Sequence, residues 1–228
     1  MTAPISYSPA VFHVDSIEAA KAVILTPEGG TTKERWEKET PYVVALIREQ
    51  LEIGQGSVVL DYGCGIGRIA RELILQTGCF VVGVDISPSM RALAAAYVAS
   101  DRFLVCAPGA LADLNIEVDQ AISVWTLQHA LHPPRDIALI RLALKPGGGL
   151  FVLNNKLRAV PINDWRWADD GVSIEETLDR TFKPVERGAL PKEVAPGTLS
   201  DDTFWKSYRA PTIGLVPTGL GLRAALQT

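Results

Sequence analysis

The chain has 228 residues, 47% of them apolar, with 26 acidic side chains against 22 basic ones and a formal charge of −4. That is enough apolar material for a single domain with a substantial core, and one domain over 1–228 is expected. Lys and Arg are scattered without a basic run, which argues against a sequence-independent grip on nucleic acid, and the three cysteines, Cys64, Cys79 and Cys106, show neither a disulfide framework nor C-x-x-C zinc spacing.

Residues 1–15 read as a loose, proline-spaced arm. No apolar run approaches membrane-spanning length, and Met-Thr-Ala-Pro-Ile-Ser lacks the basic-then-apolar order of a leader, so a cytoplasmic protein with no membrane partner is expected. Ser16 can cap a short helix through Leu25, stopped by the Pro-Glu-Gly-Gly run 27–30. A second helical stretch covers 31–51, with Thr40-Pro41 as a restart because proline suits a first turn. Trp36 and Tyr42 on it either face ligand or pack the helix onto a sheet.

Ser57-Val-Val-Leu-Asp61 is a β-branched run that drops into Gly63, Gly65 and Gly67 before a helical pattern opens at Arg68. A buried parallel strand, a glycine-rich turn and a helix N-terminus let backbone approach a nucleotide-type ligand closely. Ile69, Leu73 and Ile74 continue the helix, Thr77-Gly78 closes it, and Cys79 to Asp85 is a second strand. Asp85, ending that strand, is placed to accept hydrogen bonds from ribose hydroxyls. A dinucleotide fingerprint G-x-G-x-x-G, as in an NAD-dependent oxidoreductase, would need a third glycine where Arg68 stands.

Asp61-x-Gly63-x-Gly65-x-Gly67 with Asp85 behind it resembles motif I and the following acidic position of class I S-adenosylmethionine-dependent methyltransferases. The resemblance implies an α/β fold: a seven-stranded Rossmann-like methyltransferase sheet, mostly parallel, with an antiparallel last strand. It also implies S-adenosyl-L-methionine as cofactor, with S-adenosyl-L-homocysteine as product, on Asp61, Gly63, Cys64, Gly65, Gly67, Asp85, Ile86 and Trp125. Leading helices over the cofactor crevice belong to the same pattern.

Ser87-Pro88 opens the next helix through Ala99, and Arg102–Cys106 is strand three. Ala107 stands where the family often carries an acid for the adenine amino group, leaving backbone groups or Asp113 for that contact. Asp119 to Thr126 is strand four, and its end lacks the Asn-Pro-Pro-Tyr signature of many amide and nucleobase methyltransferases. Ile137–Leu144 is a helix, Lys145-Pro-Gly-Gly-Gly149 turns into strand five at 150–154, Ser173-Ile-Glu-Glu176 is a capping box, and 181–186 and 203–208 supply the last strands. The parts are then leading helices at 1–52, a cofactor-binding core at 53–154, a substrate lid at 155–172, last helix and strands at 173–209, and a tail at 210–228.

Methyl transfer asks the protein mainly to align nucleophile, methyl and sulfur and to exclude water. His129, just past strand four, is the candidate base, or else a residue that fixes its loop. His132 follows three positions on, but Pro133-Pro134 comes next with no third ligand nearby, so no metal is expected. Trp36, Trp165 and Trp167 are the candidate substrate contacts, the last two in an irregular insertion at the carboxyl edge of the sheet. The expected reaction is methyl transfer to oxygen or nitrogen of a small molecule. A non-catalytic S-adenosylmethionine-binding or interaction protein of the same fold remains the alternative.

Overall fold

Along each central strand successive side chains face opposite sides of a sheet that is buried on both, so the strands are near-continuous apolar runs. A computed structural model describes residues 6–162 and 166–212; Trp165 and the tail beyond 212 lie outside the described residues. Strands β1 (Val58–Tyr62), β2 (Phe80–Val84), β3 (Phe103–Cys106), β4 (Val118–Val124) and β5 (Leu144–Asn155) are parallel. The short β6 (Val160–Ile162) and β7 (Arg166–Ala168) form a separate antiparallel ribbon. The chain returns through β8 (Lys183–Gly188) and β9 (Thr203–Arg209), giving a seven-stranded sheet of order β3-β2-β1-β4-β5-β9-β8. β9 is antiparallel to both its neighbours. That reversed strand, slotted between β5 and β8, separates this sheet from the 3-2-1-4-5-6 order of dinucleotide-binding domains and removes the oxidoreductase reading.

Helices cover both faces. α1 (Ile17–Ile24) leads into α2 (Thr32–Gln50), and α3 (Arg68–Thr77) and α4 (Pro88–Val98) follow β1 and β2. Val43, Val44 and Ile47 of α2 and Ile69 and Leu73 of α3 pack against Val59, Val81, Ile122 and Phe151. On the other face α5 (Pro108–Leu114), α6 (Pro133–Ala143) and α7 (Ile174–Thr181) set Leu111, Ile137, Ile140 and Leu178 against Leu60, Val82, Ala121 and Val152. A short α8 (Leu199–Asp202) precedes β9.

Several expectations are corrected. α2 runs unbroken through Pro41, because the burial of Val43, Val44 and Ile47 outweighs the one amide that proline lacks. The reciprocal capping box sits at Thr31–Glu34, whereas at α7 Ser173 caps Glu176 while the Glu176 carboxylate turns to Arg180. Residues 6–15 are no loose arm. Tyr7 bridges Ile162, the Ser8 amide donates to the Pro161 carbonyl at 2.9 Å, the Val14 amide donates to Ser89 Oγ at 3.0 Å, and Val11 and Val14 are buried. The described part of 155–172 is likewise not irregular, since β6 and β7 pair within it.

Candidate functional site

The carboxyl ends of β1, β2 and β4, the arm before α1, and the β6–β7 ribbon enclose a cavity of about 870 Å³. That is within the range of pockets that swallow a small ligand. Its first wall is the turn after β1. Gly63 lies at φ 84°, and a Cβ there would overlap the Thr126 side chain, so only glycine lets the turn pass under the end of β4. The turn's amides are largely satisfied internally: Gly63 and Cys64 donate to the Val84 carbonyl, Gly65 to Asp85 Oδ2 at 2.8 Å, and Gly67 to the Cys64 carbonyl. The turn therefore offers a ligand a close, flat backbone surface more than a row of free amides.

Asp85 accepts from Gly65 with one oxygen and from the Ser87 amide with the other, both at 2.8 Å. Each carboxylate oxygen has a second lone pair, and Asp85 stands in the cavity wall beside the half-exposed Ile86. Burial pushes its carboxyl above the usual range, against the pull of those two amides. Asp61, also in the wall, is raised to about 7 by burial that the Arg68 charge only partly offsets.

Arg68 is buried rather than solvated. Its guanidinium reaches Glu39 Oε1 and Thr40 Oγ1 at 3.3 Å, while Arg35 holds Glu39 Oε2 at 2.7 Å. The same Glu39 accepts the Trp125 indole N–H at 2.6 Å. Trp125 adopts φ 58°, a left-handed conformation costly for a bulky residue. The Glu39 bond and the Trp125 amide donating to the Leu153 carbonyl at 2.8 Å hold it there. Thus α2, remote in sequence, shapes the floor between β1 and β4.

The opposite wall is aromatic. His129 ends a 3₁₀ turn at Leu127–His129, and its ring lies 5.0 Å from Trp167 and 5.6 Å from Phe12. Its Nδ1 is 2.6 Å from the Ala159 carbonyl, which can only accept, so Nδ1 carries the proton and Nε2 accepts from Gln128 at 3.3 Å. Burial lowers the His129 pKa to about 4. Arg158 locks the turn by donating to the Leu127 carbonyl at 2.8 Å and the Gln128 carbonyl at 3.1 Å while its Nε pairs with Asp170 at 3.1 Å.

The cavity thus brings together Asp61, Gly63, Cys64, Gly65, Asp85, Ile86, Trp125, His129 and Trp167 of the expected residues. Two are corrected. Gly67 is the N-cap of α3, where a Cβ would strike Val98, and it packs helix to helix outside the wall. Trp36 stands edge-on to Tyr97 at 6.3 Å, with Arg68 and Lys21 over its ring, also outside the wall. Asp113 is exposed and away from the cavity, where Pro108 and Gly109 form the adjacent wall instead. Sequence reasoning missed Tyr7, Phe12, Tyr62, Gln128 and Asp136, all in the wall. Tyr62 and Asp136 carried a faint signal: a tyrosine alternating with Asp61, and an acid in the first turn after Pro133-Pro134. Among the described residues no three His, Cys, Asp or Glu side chains gather as metal ligands, and no helix is long and apolar enough to cross a membrane.

Comparison with known proteins meets this geometry. Residues 60–152 match the family model described as a methyltransferase domain. The methyltransferase GfsG of Streptomyces halstedii is 32% identical over 116 residues, 48% of this chain and 42% of that protein. The 2-methyl-6-phytyl-1,4-hydroquinone methyltransferase of Synechocystis sp. (strain ATCC 27184 / PCC 6803 / Kazusa) is 32% identical over 158 residues, 68% of this chain and 46% of the relative. Residues 60–152 form a class I S-adenosylmethionine-dependent methyltransferase domain. The chain spans less than half the length of these two curated relatives, at 42% and 46%. A solved S-adenosylmethionine-dependent methyltransferase from Mesorhizobium loti shares the fold, with a TM-score of 0.58 at 18% identity over 76% of this chain and 99% of that one. S-adenosylmethionine is the cofactor that domains of this class use. The matched span runs from Leu60 in β1 to Val152 in β5, so it holds the glycine turn, Asp85, Trp125 and His129 but neither the arm nor the ribbon.

Proposed function

We propose that this protein transfers a methyl group from S-adenosylmethionine to oxygen or nitrogen of a small molecule. The observation that carries the reading is one continuous cavity with two unlike walls. One wall is the glycine turn with Asp85, the other the aromatic set Phe12, His129 and Trp167. The cofactor supplies an electrophilic methyl on a sulfonium, so the chain's own work is placement and exclusion of water.

The residues fit that cofactor. Asp85 retains lone pairs for vicinal hydroxyls, the backbone of Gly63 and Gly65 allows close approach, and Asp61 sits where a cationic ligand would favour its ionised form. Pro108 and Gly109 supply a wall for adenine in place of an acidic side chain. Phe12 and Trp167 shield the nucleophile, and His129, neutral at physiological pH, adds a flat face whose Nε2 already accepts from Gln128. A small-molecule acceptor suits a cavity of this size, and the Synechocystis relative is itself named for a phytyl-bearing hydroquinone.

The test pairs calorimetric titration with S-adenosylhomocysteine and a labelled-methyl screen of phenols, amines and carboxylic acids. Micromolar product binding and label in one acceptor class support the reading. Binding with no transfer to any acceptor would favour the non-catalytic alternative, and absence of binding would remove the function.

A further inference from the structure

The wall between the glycine turn and the aromatic set holds a polar pair with no role assigned so far. Tyr62 ends β1, and alternation along the strand turns its side chain to the face opposite Asp61. Its phenol donates to Oδ1 of Asp136, in the first turn of α6. Both side chains line the cavity, together with Tyr7 from the arm. Oδ2 of Asp136 has no hydrogen-bond partner among the described residues, yet it is not sealed from solvent, so it is open to a donor in the cavity.

The charges around Asp136 come from every side. Tyr62 faces it from β1, Arg135 and His132 from its own helix, Arg158 from the segment before β6, and Tyr7 feels its field from the arm. Burial raises the carboxyl above the usual range against the pull of Tyr62, Arg135, His132 and Arg158. A carboxylate of raised basicity is the better proton acceptor near neutral pH. His129 is the less available one, with Nδ1 already donating and Nε2 already accepting.

We propose that Oδ2 of Asp136, oriented by the Tyr62 phenol, accepts the proton of a ring-borne hydroxyl on a substrate seated against Trp167 and Phe12. This rests on the methyltransferase reading above. The hydroxyl oxygen's lone pair forms the new O–C bond while the C–S bond breaks and leaves its electron pair on sulfur. The O–H electron pair stays on oxygen, and the proton passes to Asp136. His132 and Arg135, exposed at the edge of the cavity, border a route by which it reaches water.

The probe is 4-nitrophenol, whose phenolate is coloured, titrated across neutral pH into protein saturated with S-adenosylhomocysteine. A carboxylate beside the bound hydroxyl disfavours phenolate, so the wild-type protein raises the probe's apparent pKa by about one unit. Asp136→Asn, still binding S-adenosylhomocysteine, loses the shift, and its methylation of an unsubstituted phenol, which stays protonated at neutral pH, falls about 100-fold in kcat. Tyr62→Phe keeps the carboxylate and the shift, but binds the probe about tenfold more weakly through loss of orientation. A shift that survives Asp136→Asn, a probe that does not bind the product complex, or unchanged probe affinity in Tyr62→Phe overturns the proposal. Failure to bind S-adenosylhomocysteine would count against the cofactor reading instead, so the two can fail separately.

Discussion

The two walls of the cavity are built in opposite ways. The cofactor wall is local: β1, the glycine turn, α3 and β2 follow one another over Val58–Val84, and Asp85 closes the unit by holding Gly65. The acceptor wall is assembled from Tyr7 and Phe12 of the arm, Tyr62, His129, Asp136 and Trp167, which span 160 positions between the arm and the ribbon. A wall made by one contiguous unit tolerates little change, whereas a wall made of separate segments can exchange side chains one at a time. That difference suits a domain whose cofactor is fixed and whose acceptor varies.

Changes to the local wall and to the residues that brace it should move stability, whereas changes to the assembled wall should move acceptor binding and turnover. The largest effect is expected for Glu39→Gln. It leaves the buried Arg35 and Arg68 facing a neutral amide with one acceptor oxygen in place of two, lowering unfolding free energy by about 3–5 kcal/mol in urea denaturation. Asp61→Asn should stabilise, with a pH signature. The folded-state pKa of Asp61 is about 7 against an ordinary 3.8, so the folded protein binds that proton more tightly. Its favourable contribution is complete below the unfolded pKa and disappears as pH rises through about 7. The variant's advantage should therefore grow from about pH 4 to about pH 7 and level at about 2–4 kcal/mol; a pH-independent difference would refute the assignment. Gly63→Ala adds a methyl against Thr126 at φ 84° and should cost about 2–3 kcal/mol, read as a lowered melting temperature. Smallest is Trp167→Ala. It removes a partly exposed ring from His129 and Phe12, should weaken acceptor binding by up to about tenfold, and should leave product binding and melting temperature nearly unchanged.

The same contrast explains what was readable in the sequence. Strand, turn, helix and Asp85 announce themselves because each constraint lies within a few residues: β-branched runs, glycines at positive φ, serine caps at Ser16 and Ser87. Pairings across the chain left no local trace. From sequence Arg68 is equally a solvated first-turn residue or a carboxylate contact, and only Glu39, 29 positions earlier, decides for the second. Trp36 could face ligand or pack its helix, and Tyr97, standing at its edge, is what distinguishes the two. The arm looked loose because its partners, Pro161 and Ser89, are far downstream, and 155–172 looked irregular because three-residue strands fall below the length at which alternation is visible. Gly67 shows a different limit: in a glycine-rich turn, sequence does not distinguish a glycine that admits a ligand from one that admits a neighbouring helix, and here Val98 lies against it.

The central claim, that the wall carrying Asp85 holds the cofactor while the assembled wall holds the acceptor, is tested most directly by calorimetric titration of S-adenosylhomocysteine into the wild type, Asp85→Ala and Asp136→Asn. Asp85→Ala removes the acceptor for the Gly65 and Ser87 amides as well as the ligand's, at about 1–3 kcal/mol for each group left unpaired. Micromolar binding to wild type and Asp136→Asn, with at least about a 100-fold loss in a folded Asp85→Ala, is the predicted result. Equal binding by wild type and Asp85→Ala, or none by the folded wild type, would contradict it.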